Sequence, residues 1–266
     1  CVVCGLFICF TGVPLTLFCF KPRRPEYYGL LPDGITSKED VSEKSEMIEA
    51  GIKYAAEVEE VEFTLRQALK APTFWLLLVA QTGQNLAITS ISMHGIPFLT
   101  DIGITPIRAA GMMAIMVAIG IPSRFFSGII ADRIRKNSMR FLLGGAYFMQ
   151  TIGFAIFLLN QSEAMIYVWF ILYGIGQGFC FTLNSILRAR YFGRKAFGSI
   201  GGVARMIMTP IGMASPIYGG WVYDTTGSYI SAFTFITGLL FFSSVMMSIT
   251  PPPKPPAQIT DIDKIA

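Results

Sequence analysis

Arg124 and Arg205 stand inside apolar stretches long enough to cross a bilayer, at 106–131 and 197–223. No Asp or Glu lies in the interior of any such stretch. A charge in the hydrocarbon layer costs about 3 kcal/mol or more, so it faces a partner or a water-filled path. Two cations without acidic partners in the spans point to an anion supplied from outside, a substrate. Arginine suits a carboxylate, because its planar fork presents paired N–H donors and keeps its charge at any physiological pH. Two such forks fit a small dicarboxylate, or one carboxylate with a second acceptor.

Depth brings the two together. With a helix rise of about 1.5 Å per residue, Arg124, eight residues from Asp132, lies about 12 Å in from the end of its span. Arg205, nine residues from Ala196, lies about 13–14 Å in from the same side by the same rise. A hydrocarbon layer is about 30 Å thick, so both guanidinia reach near the midplane. Transporter sites lie at that depth.

Further polar groups share the spans. Gln81, Gln84 and Asn85 are mid-span, with Gln81 and Asn85 on one helix face. They could line a cavity or bond helix to helix, and Gln177 and Asn184 read the same way. Tyr173 lies near the midplane and could wall a pocket or pack in the core. Trp169, nearer the outer interface, reads as aromatic-belt material. His94, the only histidine, ends its span and reads as structural or gating rather than as a proton relay. Cys1 and Cys4 have CxxC spacing, but no second pair or histidine follows. All five cysteines read as small packing residues, so no metal and no cofactor are expected. There is no GxSxG, no HExxH and no intramembrane carboxylate pair, which argues against an enzyme.

The elements that must position these residues are membrane helices. The chain has 266 residues, 53% hydrophobic and 14% charged, far below the roughly 25% charged residues of a soluble domain. Apolar runs of about 20 residues mark spans, at 1–20, 72–97, 106–131, 140–159, 164–187, 197–223 and 229–249. The 26 glycines fit close helix packing in lipid. The net charge of +4 reflects topology, and no nucleic-acid partner is expected. Basic residues alternate between connections: Arg133, Arg135, Lys136 and Arg140 in one, Arg188, Arg190, Arg194 and Lys195 in another, and Lys21, Arg23 and Arg24 after the first span. By the positive-inside rule these connections are cytoplasmic, as are the long 21–71 loop and the tail at 250–266. The loop's first half is rich in proline and charge and reads as irregular. Its end has helical spacing at Val61, Leu65, Ala68 and Leu69, which predicts a short amphipathic helix over 61–70. No initiator Met or basic leader precedes the first apolar run, so the chain is expected to start inside a larger protein.

At the end of the 106–131 run, Gly128-Ile-Ile-Ala-Asp132-Arg133-Ile-Arg135-Lys136 resembles the loop signature of the major facilitator superfamily. Gly128 would let a neighbouring helix approach, and Asp132 would pair with a basic residue or cap a helix end. The resemblance implies that Gly128, Asp132 and Arg133 help latch one conformation, with His94 as a further gating candidate. Thr64 through Trp75 and His94-Gly-Ile-Pro97 resemble the seventh span of the oxalate/formate antiporter and monocarboxylate transporter branches. Tyr191 to Gly201, Pro216, and Asp224-Thr-Thr-Gly227-Ser-Tyr229 resemble the tenth-to-twelfth-span region of the oxalate/formate branch.

The resemblance implies an all-α membrane protein of twelve spans. Residues 1–20 would be its sixth span, 21–71 its central loop and 72–249 its C-terminal six-helix bundle. That bundle should divide into inverted three-helix units at 72–159 and 164–249. Arg124 and Arg205 match basic residues that bind the anion in the eighth and eleventh spans of the oxalate branch. The eighth-span arginine also matches the monocarboxylate branch, where an Asp precedes it by four residues; here Gly120 stands at that position. The expected function is secondary transport of a small organic mono- or dicarboxylate by alternating access, with exchange as a candidate mode. The expected substrate-binding set is Arg124, Arg205, Gln81, Asn85, Tyr173 and Gln177. The expected partners are the anion, the lipid bilayer of the cell membrane and a missing N-terminal six-helix half. A proton-coupled sugar or drug carrier stays open as the alternative. A seven-helix receptor fits the count of spans but not the long first inner loop.

Overall fold

The computed structural model describes Phe10, Thr11, Pro14, residues 62–193 and residues 196–254. The expected span at 1–20, most of the 21–71 loop, residues 194–195 and the end of the tail lie outside the described residues. The chain divides into compact units at 1–59 and 60–266, and the second carries the helices described below.

The described residues from 62 onward are helical and include no strand. A short helix, α1 (Leu65–Lys70), is followed by six long ones: α2 (Pro72–Asp101), α3 (Pro106–Arg133), α4 (Met139–Leu159), α5 (Glu163–Phe192), α6 (Phe197–Thr226) and α7 (Ile230–Ile249). A helix was expected over 61–70, but residues 62–64 are not helical and α1 starts at Leu65. The reason is a capping box. The Thr64 hydroxyl accepts from the Gln67 N–H, and the Gln67 side chain accepts from the Thr64 N–H at 2.8 Å. Pro72 and Pro106 each open a helix, where a missing N–H costs nothing. Gly193 and Gly227 end α5 and α6 with positive φ, a backbone state that favours glycine.

Among the described residues four helices, α3, α4, α5 and α7, are long and apolar enough to cross a bilayer. The sequence reading placed spans over α2 and α6 as well. These two reach 30 residues each but carry more polar groups. α2 holds Gln81, Gln84, Asn85 and His94; α6 holds Arg205, two internal prolines and a run of glycines. Such helices fit a wet face better than a lipid one.

The main packed pairs are α3 with α5, α4 with α5 and α7, and α2 with α6 and α7. In lipid the helices gain from van der Waals fit rather than from leaving water. Glycines supply that fit on α5. A Cβ at Gly174 would come within 2.5 Å of the Met116 carbonyl oxygen, and one at Gly178 within 2.6 Å of the Gly120 carbonyl oxygen. Gly176, on another face, lies equally close to Ala146 and Gln150 of α4. At the far end from Phe192 sits an aromatic core. Trp169 stacks on Phe157 at 4.3 Å and on Phe170 at 4.6 Å, and is fully buried. Trp169 is therefore a core residue and not part of an interfacial belt; Gly153 of α4 leaves the space that its indole fills.

Candidate functional site

The site grows from one face of α5. Gln177, Phe181, Asn184 and Arg188 follow each other at three- and four-residue steps and so share that face. Each meets a different neighbour. The Arg124 guanidinium of α3 lies over the Phe181 ring, 4.2 Å from its centroid. Such cation–π contacts hold a cation without neutralising it. The Thr182 hydroxyl donates to the Arg124 carbonyl oxygen at 3.3 Å, which fixes that turn of α3 against α5. Gln177 Oε1 accepts from Gln84 Nε2 of α2 at 3.1 Å. Asn184 Oδ1 accepts from the Tyr147 hydroxyl of α4 at 3.2 Å.

Arg188 completes the face. Its Nη2 donates to Gln81 Oε1 of α2 at 3.1 Å. Its Nη1 lies 2.8 Å from where a Cβ on Gly201 of α6 would be, so the guanidinium occupies the space that this glycine leaves. Arg205 is one turn further along α6 on the same face as Gly201. Among the described residues the salt bridge is Arg108 with Glu163, far away at the N-terminal ends of α3 and α5. Arg124, Arg188 and Arg205 have no carboxylate partner among the described residues.

The sequence-derived candidates separate on this geometry. Gln81 and Gln177 fall within the polar network. Asn85 sits beside them on α2 and packs against Gly212 of α6. Arg124 and Arg205 are both on exposed faces, on α3 and α6, and no bond links them. The cation seated at Gly201, on the same face of α6 as Arg205, is Arg188, which the sequence reading assigned to a cytoplasmic connection. Tyr173 is a correction. It is fully buried, its ring edge-on to Phe154 at 5.7 Å, so it belongs to the aromatic core and not to a pocket wall.

The gating candidates are also rearranged. A Cβ at Gly128 would meet nothing within 4 Å, so this glycine does not seat a neighbouring helix among the described residues. Asp132 and Arg133 are exposed at the end of α3, and Asp132 makes no salt bridge among the described residues. Arg190 of α5 holds that end instead, donating to the carbonyl oxygens of Ala131 at 2.8 Å and Ile134 at 2.7 Å. A cation on the last carbonyls of a helix satisfies orphan acceptors and opposes the negative end of its dipole. His94 Nε2 meets the Pro216 carbonyl oxygen at 2.9 Å, and its ring fills the notch left by Gly219. It ties α2 to α6, a structural use of the ring.

The site is thus a polar seam shared by α2, α3, α5 and α6, with cations at three points. Donor forks of this kind can bind and release an anion; among the described residues no group along the seam is arranged as a nucleophile or as an acid–base pair.

The comparisons with known proteins give the family. Residues 2–215 match the family model of the Major Facilitator Superfamily. Monocarboxylate transporter 12 of Rattus norvegicus is 24% identical over 65% of this chain and 36% of its own length. The uncharacterized transporter YycB of Bacillus subtilis is 25% identical over 48% of this chain and 31% of its own. Among solved structures, the POT family transporter PepTSo matches with a TM-score of 0.54 at 15% identity, over 71% of this chain and 40% of that one. The chain therefore spans about a third of the length of the curated relatives it matches. Its fold is an all-helical membrane fold, and its family model covers most of its residues: the chain belongs to the major facilitator superfamily.

Proposed function

We propose that this chain is the C-terminal part of a secondary transporter that moves a small organic mono- or dicarboxylate by alternating access. Residues 72–249 form its six-helix C-terminal half, 1–20 its sixth span and 21–71 its central loop. The basic connections and the tail face the cytoplasm, and the protein resides in the cell membrane. One observation carries the reading: three arginines along one polar seam have no carboxylate partner among the described residues. A carboxylate substrate supplies the missing charge. The rat relative is a monocarboxylate transporter, which supports the same class of solute.

Exchange of two anions is favoured over proton symport of the kind that places an Asp four residues before the arginine. Gly120 occupies that position, and its Cα faces the Gly174 carbonyl oxygen across the tight α3–α5 contact. A carboxylate there would be buried against an oxygen that cannot donate to it.

The test is uptake of labelled oxalate, formate and lactate into proteoliposomes carrying the full-length protein, with and without internal carboxylate. At least one should enter, faster when a carboxylate is waiting inside. Arg124→Gln should cut uptake by about tenfold or more, the scale of losing one partner of a desolvated charge pair. Expression and melting temperature should stay close to wild type. Unchanged uptake in both Arg124→Gln and Arg205→Gln, or entry of no carboxylate, would overturn the proposal.

A further inference from the structure

α5 runs toward the end of the bundle marked by Phe192, and α6 runs away from it from Phe197. Side chains on a helix lean toward that helix's own N-terminus. Arg188 therefore leans inward from this end, while Arg205 leans back toward it. The Arg188 guanidinium fills the space that Gly201 leaves, and Arg205 follows one turn further along that face of α6. Gln81 holds one N–H of that guanidinium and, being neutral, orients it without cancelling its charge. Leu77, Leu78, Phe192 and Ile200 wall an apolar crevice beside it. Two like charges on neighbouring turns repel each other. A bound anion turns that repulsion into two attractions, and a carboxylate has one oxygen for each fork.

We propose that Arg188 and Arg205 form an anion subsite between Arg124 and the Phe192 end of the bundle. It takes a carboxylate group of the transported molecule as that molecule enters or leaves, and Gln81 and Gly201 are its positioning residues. The assignment rests on the carboxylate reading given above. It adds a residue from α5 and a second station along the path.

The test uses the full-length protein, with sodium oxalate and sodium lactate as probes and sodium chloride at matched ionic strength as control. Two readouts are taken: the melting temperature in detergent and the half-saturating concentration for uptake. At least one carboxylate should raise the wild-type melting temperature more than chloride does. Arg188→Gln should remove most of that rise and raise the half-saturating concentration by about tenfold. Gln81→Glu should do the same, because its own carboxylate would occupy the Arg188 fork. Gly201→Ala should weaken binding without altering any charge. A merely structural Arg188 would give the opposite pattern, a lower melting temperature without ligand and an unchanged ligand-induced rise. If Arg188→Gln does not fold, Gln81→Glu and Gly201→Ala decide. Wild-type shifts and affinities in these variants would overturn the subsite and leave the carboxylate reading standing. No shift and no uptake in the wild type itself would overturn both.

Discussion

Arg205 separates charge from geometry. A lysine there keeps the charge but replaces the planar fork with a point charge on a flexible stem. If the fork matters, Arg205→Lys should weaken carboxylate uptake several-fold, while Arg205→Gln weakens it further; equal activity of wild type and Arg205→Lys would leave only a field effect. Arg124 and Arg205 were legible in the sequence because a charge in an apolar run has few explanations. Arg188 was not. The span was ended at Leu187, where the next charge begins, whereas the helix runs on to Phe192. The signal that would have found it is Gly193, whose positive φ ends α5. Counting back from that glycine places Arg188 more than a turn inside the helix, on the face of Gln177 and Phe181. Trp169 and Tyr173 failed for a different reason. Sequence position gives depth along a helix but not its rotation, and both rings are turned toward α4.

At the scale of elements, the α3–α5 contact is set by backbone rather than by side chains. Gly174 and Gly178 bring α5 onto the carbonyls of Met116 and Gly120, which cannot rotate away as a side chain would. Gly174→Ala and Gly178→Ala should each destabilise the protein by about 1–3 kcal/mol, the usual scale of overpacking. Gly145→Ala and Gly202→Ala, where a Cβ meets nothing within 4 Å, serve as controls and should be near neutral. Thermal unfolding in detergent reads both; equal loss in all four would mean that helix spacing is not the cause. The far end of the same pair is held by Arg190. Arg190→Ala removes two charge-assisted bonds from the last carbonyls of α3, a loss of roughly 1.5–3 kcal/mol if both are desolvated, and less in the half-buried setting seen here. Protease should then cut the 134–138 connection faster than in the wild type, with little change elsewhere. The helices themselves were readable from apolar length and from Pro72, Pro106 and Gly227. Which glycine faces which neighbour was not, because that depends on helix rotation.

At the scale of the whole molecule, the packing has a symmetry. Exchanging α2, α3 and α4 for α5, α6 and α7 maps α3–α5 onto α6–α2, and α4–α5 onto α7–α2. Two inverted three-helix units would give that exchange. It also leaves α3 and α6 as equivalent helices, each with an exposed face. On α3, Val117 and Ile121 share the stripe of Arg124; on α6, Thr209, Met213 and Ile217 continue from Arg205 at four-residue steps. Met213 is 63% exposed and Ile217 is 73% exposed. A face that mixes a guanidinium with large apolar side chains suits neither lipid nor open water. It suits a second helical surface across a water-filled gap, where the apolar residues close against each other and the cation faces the gap. Residues 1–266 alone should therefore insert and bind a carboxylate weakly through Arg188 and Arg205, but should not carry it across. Proteoliposomes holding only this chain should accumulate no labelled oxalate or lactate above empty vesicles, and co-reconstitution with the proposed N-terminal half should restore uptake. Accumulation by the chain alone, at protein densities too low for it to dimerise, would mean that these faces need no partner.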